Sequence, residues 1–149
     1  MIDAAAETST LTREERQLRL LMGACVVAFG CTTLSFLFAP ALVGRNLAMI
    51  GEWAGFANTT PPGSGGPWVP LSVSMMVMIT VICALAWRDV RRYRVLLPIL
   101  LVSKAASSAV GLGTWLLASH QFHDLVVFLT DFPIFLLCAV MYWRAAPRR

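Results

Sequence analysis

Charge is what this sequence has least of. Only 13% of its 149 residues are Asp, Glu, Lys or Arg, against 58% hydrophobic, and mean hydropathy is +0.71, whereas soluble domains carry roughly a quarter charged residues. That excludes a solvated domain and leaves an integral membrane protein. Cysteine pairs at CxxC spacing are also missing. Cys25, Cys31, Cys83 and Cys138 all fall within apolar stretches, where they read as small packing residues and not as a disulfide scaffold or thiol relay. Histidine is absent from those stretches, so a bilayer-spanning haem pair has no ligands. No Ser-His-Asp set or pair of carboxylates at catalytic spacing is visible, and "PGSGGP" lacks the lysine and strand context of a phosphate loop. The sequence therefore indicates no enzyme.

Long apolar runs are what it has in abundance. Four of them, about 18–43, 68–87, 95–118 and 125–143, are each near the roughly 20 residues a helix needs to cross hydrocarbon. Irregular backbone and open sheets cannot face lipid, so the expected fold is all-α: a single four-helix antiparallel transmembrane bundle spanning residues 1–149. Residues 44–67 form the long extracytoplasmic loop. In it "NLAMIGEWAGFAN" reads as a short interfacial helix and "TTPPGSGGP" as a segment too rich in Pro and Gly to continue one. The two remaining connections, "RDVRRYR" and "SHQFHD", are short and predict that the helices they join are antiparallel neighbours.

The few charges are sorted by position. Arg13, Arg16 and Arg19 cluster at the start of the first run; Arg88, Arg91, Arg92 and Arg94 separate the second from the third; Arg144, Arg148 and Arg149 follow the fourth. Only Arg45 lies in the other connections. By the positive-inside rule this places both termini in the cytoplasm and the chain in the cell (inner) membrane as a multi-pass protein. The net charge of +4 is thus orientation, and without a basic stripe interleaved with aromatics it does not indicate nucleic acid. A polar lead with Glu7, Glu14 and Glu15 favours a retained first helix over a cleaved signal peptide. Thr12 and Glu15 have capping-box spacing at its start.

Two charges break the apolar runs. Lys104 lies in "LLVSKAASSAV" and Asp131 in "DLVVFLTDFPIF", and a charge inside hydrocarbon costs several kcal/mol or more unless it finds a partner or water. Counted from the flanking arginines, their backbone depths differ by roughly 5 Å at 1.5 Å per residue, a gap a lysine side chain spans. They are expected to pair. Thr130 and Ser108 are expected to complete a polar centre, with Pro133 leaving the Leu129 carbonyl free beside it. Ala105, Ala109 and Gly113 recur every four residues and predict a face for close helix packing. If that face points outward it favours a partner subunit; inward, a self-contained core.

His120 and His123, with Asp124 adjacent and Glu52 in the first outer loop, are the only candidate metal ligands. Their spacing is not diagnostic and histidines hydrogen-bonding at the membrane interface are the simpler reading. Met75, Met76 and Met78 read as core filling.

The opening of the first run, "LLMGACVVAFGCTTLSFLFAPALVG", together with the four-helix plan, resembles small bacterial membrane proteins of the DoxX-like kind. The likeness covers the layout and one helix. Members are linked to sulfur-compound or quinone-associated redox chemistry, but the resemblance transfers no catalytic residue here.

Two functional readings follow. The first is a non-enzymatic accessory or assembly subunit packing against a larger membrane complex, energy-transducing or pigment-bearing. The alternative is a stand-alone bundle that binds or transports a small lipophilic molecule or ion at Lys104 and Asp131. The expected partners are the lipid bilayer and other membrane subunits or further copies of the chain. No cofactor is indicated, with room left for a bound lipid, quinone or pigment.

Overall fold

The computed structural model describes residues 11–56 and 68–146. It consists of five α-helices: α1 (Arg13–Phe38), α2 (Pro40–Trp53), α3 (Trp68–Arg88), α4 (Leu97–Thr114) and α5 (Phe122–Arg144). A 3₁₀ turn, Arg94–Leu96, leads into α4, and a π turn, Trp115–Ser119, continues it. No strand occurs among the described residues. Four segments are long and apolar enough to span a membrane: α1, α3, α4 with its flanking turns, and α5.

The first span ends at Phe38 and not, as expected, at Val43. Pro40 is the cause: proline disfavours the helical region for the residue before it, and Ala39 sits at φ −143°, ψ 51°. Pro40 then occupies the start of α2, where its missing N–H costs nothing. The expected short interfacial helix consequently begins earlier and runs Pro40–Trp53. "TTPPGSGGP" lies outside the described residues.

α1 buries Leu18, Met22, Cys25 and Phe29, spaced four, three and four residues apart on one stripe, and α3 buries Ile79, Ile82, Cys83 and Ala86. These residues share one apolar cluster with Leu97 and Leu100 of α4 and Cys138 of α5. α1 lies along α3 and α4 along α5, while contact between the two pairs is sparser and made chiefly by α1 with α5. The short turn between α3 and α4 therefore joins helices that pack only lightly, contrary to the expectation for that connection. α4 and α5 are the close antiparallel neighbours that "SHQFHD" predicts.

Arginines knit one end of the bundle together. Thr12 caps α1 through its side chain, and the Glu15 carboxylate accepts the Thr12 backbone N–H at 2.8 Å, completing the capping box. The same carboxylate takes a bidentate pair from Arg91, Nε and Nη2 each at 2.8 Å. Arg19 Nε donates to the Trp87 carbonyl at 2.8 Å. Arg94 donates to the carbonyls of Tyr142 and Ala145 and stacks on the Tyr142 ring. Carbonyls left over at two helix ends are thus satisfied by guanidinium groups. Thr12→Ala is expected to lower stability by about 1 kcal/mol, read as a lower thermal midpoint in detergent. Glu15→Ala is expected to lower it further, because it removes the cap and the Arg91 tie together.

Candidate intramembrane polar site

Lys104 is 3% exposed, as enclosed as the apolar core around it. Its Nζ lies 2.8 Å from Asp131 Oδ1, so the charge that the sequence places in hydrocarbon meets the partner that the depth count selects. The ammonium also sits 4.5 Å from the centroid of the Phe29 ring, a cation–π contact from α1. One charged head therefore touches α5 on one side and α1 on another, at the seam between the two helix pairs.

Helix register brings the pair together. Lys104, Ser107, Ser108 and Gly111 follow i, i+3, i+4, i+7 spacing on one face of α4. On α5 Asp124, Phe128 and Asp131 share a face at i, i+4, i+7. A Cβ built on Gly111 would lie 2.9 Å from the Asp124 carbonyl oxygen and 3.2 Å from the Phe128 nitrogen. α5 thus passes directly over Gly111. Seven residues back along α4 and seven forward along α5 are Lys104 and Asp131, as antiparallel helices require.

The polar residues around the pair differ from those the sequence suggests. Ser107, not Thr130, donates to the second carboxylate oxygen, Asp131 Oδ2. Thr130 is exposed, and its hydroxyl bonds within its own helix to the carbonyls of Val126 and Val127. One residue from Asp131 is about 100° of helix rotation, enough to turn Thr130 away. Ser108 is buried but donates to the Lys104 carbonyl at 2.7 Å and does not reach the ammonium. Pro133 is on the exposed side of α5, which continues through it. The site is thus Lys104, Asp131 and Ser107 under the Phe29 ring, a compact ion pair with both carboxylate oxygens occupied.

Nor is Ala105, Ala109 and Gly113 the face on which α5 packs. Ala109 is exposed, Ala105 is half-buried, and a Cβ on Gly113 would meet nothing within 4 Å. Gly111 supplies the close approach instead, and the Ala109 and Gly113 part of the small-residue stripe faces out of the bundle.

At the opposite end, His123 Nε2 is 3.3 Å from Asp124 Oδ1, and His120 adopts a left-handed conformation with φ 48°, edge-on to Trp115. Glu52 closes α2. Among the described residues no group of three or more His, Cys, Asp or Glu is placed to hold a metal ion. Trp115 Nε1, at the start of the π turn, is buried without a hydrogen-bond partner. At the arginine end a cavity of about 700 Å³ opens between Thr12, Arg91, Arg94 and Arg144. Two of its guanidiniums are already committed to Glu15 and to backbone carbonyls.

Comparison of the chain with protein-family profiles, with curated proteins and with solved structures finds no match. The site's own geometry is therefore the ground for any functional reading.

Proposed function

We propose that this protein is a non-enzymatic accessory subunit of a larger assembly in the cell membrane, with both termini on the cytoplasmic side. The observation that carries the reading is the outward face of α4. Ala109 and Gly113 leave a shallow track of minimal side chains on a spanning helix whose contacts to α5 lie on another stripe. Lipid does not need such a track. A second helix does, because backbones that approach closely gain dispersion contacts and lose little side-chain entropy.

The ion pair supports the same reading from inside. Lys104 and Asp131 satisfy each other, with Ser107 on the remaining oxygen, so the polar centre fixes how α5 lies on α4 and presents the outer face of α4 in a defined orientation. This is the register role that buried ion pairs fill best. The arginine-rich end supports the orientation.

The test is native mass after extraction from the protein's own membrane in mild detergent, with an absorbance spectrum of the same particle. A species much larger than the 16.3 kDa chain plus detergent is expected. The double variant Ala109→Leu, Gly113→Leu is expected to release the partner while leaving the melting transition of the isolated chain near that of the parent. A single-chain, colourless particle from the parent sequence would overturn the reading and favour a self-contained binder.

A further inference from the structure

At the arginine end, on the outer side of α1 and α3, a cleft of about 530 Å³ is lined by Leu11, Arg16, Arg19, Leu20 and Trp87. Cations and apolar side chains make it up, and no carboxylate lines it. The larger cavity at the same end differs in kind, because Glu14 and Glu15 stand among its arginines.

Helix spacing and one glycine build the cleft. Arg16, Arg19, Leu20 and Gly23 follow i, i+3, i+4, i+7 spacing and share a face of α1. α3 ends against that face. Arg19 Nε donates to the Trp87 carbonyl at 2.8 Å, one of the acceptors left over in the last turn of a helix. A Cβ on Gly23 would lie 2.9 Å from Trp87 Nε1, so the missing side chain is what lets the indole rest on α1, one turn from Arg19. The Arg19 guanidinium is thereby held through Nε, and its two Nη groups have no partner among the described residues. Arg16, one turn toward the start of α1, has no side-chain partner among the described residues either.

We propose that this cleft binds the phosphate of an anionic phospholipid, with the acyl chains running over Leu20 and the Trp87 indole. Two guanidiniums without a carboxylate call for an anion with several acceptor oxygens, and the planar arginine fork matches phosphate. The apolar wall selects a lipid over a free phosphate, which would use the arginines alone. Leu20 is 66% and Trp87 48% exposed, and Val27 and Leu34, also exposed, continue the line of Leu20 at seven-residue intervals along α1. A lipid held at the arginines thus has apolar surface beneath its headgroup. Net charge is selected too. The ammonium of a zwitterionic headgroup finds no carboxylate in the cleft and is repelled by both guanidiniums. Basic pockets beside spanning helices are a general means of recognising anionic headgroups. The bound lipid touches α1 and α3 together and so stabilises the folded bundle, independently of any partner on α4.

The test is to titrate the full chain in mild detergent with dioleoylphosphatidylglycerol, dioleoylphosphatidylcholine or inorganic phosphate. Thermal midpoints are followed, and native mass spectrometry counts retained lipid. Phosphatidylglycerol is expected to raise the midpoint and to remain as a single adduct, while phosphatidylcholine and millimolar phosphate do neither. Arg16→Gln gives up no side-chain partner among the described residues and is expected to require about tenfold more phosphatidylglycerol for the same shift, the loss of a charge-assisted contact. Arg144→Gln removes the same charge from the neighbouring cavity and is expected to leave the titration unchanged. Equal weakening by the two variants would mean that lipid follows the net charge of this end and not the cleft. An equal shift with phosphatidylcholine, an equal shift with free phosphate, or no shift with phosphatidylglycerol would likewise overturn the proposal.

Discussion

Lys104→Ala is expected to be among the most damaging single substitutions in the bundle, and replacing both partners is expected to be far less damaging. Removing the ammonium leaves Asp131 as an uncompensated carboxylate, 13% exposed, held only by Ser107. Breaking a buried pair from one side costs about 3–5 kcal/mol. The combination Lys104→Met, Asp131→Leu removes both charges, keeps a flexible apolar chain against Phe29, and fills the volume of the Asp131 side chain between α5 and α4. Such replacements are often neutral or stabilising. Ser107 is not orphaned by it, since its hydroxyl turns to the Lys104 carbonyl, 3.2 Å away. Thermal midpoints of the two single variants and the double in one detergent give the coupling energy. Additive losses, with the double as poor as the sum of the singles, would mean that the charges act on something other than each other. A double variant that folds well but loses its partner in the native-mass experiment would show that the pair orients α4 and does not merely hold it.

How much of this was legible in the sequence depends on which degree of freedom was asked for. Depth along a helix is counted in residues, so the pairing of Lys104 with Asp131 followed from 1.5 Å per residue and two flanking arginine clusters. Rotation about a helix is not counted that way. Ser107 and Thr130 were equally near the pair in depth, and only the contact of α5 with Gly111 decides that Ser107 faces the carboxylate and Thr130 does not. The same ambiguity hid how the core is shared: Cys25, Cys83 and Cys138 each read as an isolated small residue, and their joining one apolar cluster depends on the rotation of three helices at once. Their common distance from the arginine end was a signal already present. So was Pro40, whose effect on Ala39 sets the end of α1, but a count of consecutive apolar residues passes over it. The capping box at Thr12 and Glu15 was readable because it is local, requiring only the three-residue spacing that the helix itself imposes.

Gly111→Ala is expected to destabilise the bundle, and Gly113→Ala, two residues on, to stabilise it. Both replace glycine in or beside the same helical turn, so both gain the helix propensity that separates alanine from glycine, about 0.5–1 kcal/mol. They differ in what the new methyl meets. At Gly113 it meets nothing within 4 Å, and the propensity gain stands alone. At Gly111 it meets the Asp124 carbonyl oxygen at 2.9 Å and the Phe128 nitrogen at 3.2 Å, both backbone atoms of α5, which cannot swing aside as a side chain does. α5 must move outward as a body, with an overpacking cost of about 1–3 kcal/mol. Gly23 offers an intermediate case, because its methyl would approach the Trp87 indole, a side chain with room to shift. The displacement at Gly111 is carried down both helices to a contact two turns away, so Gly111→Ala is also expected to shrink the coupling energy between Lys104 and Asp131. Gly113→Ala should leave that coupling unchanged. Equal midpoints for the two alanine variants would mean that α5 does not lie on Gly111, and with that the register that joins Lys104 to Asp131 would fall.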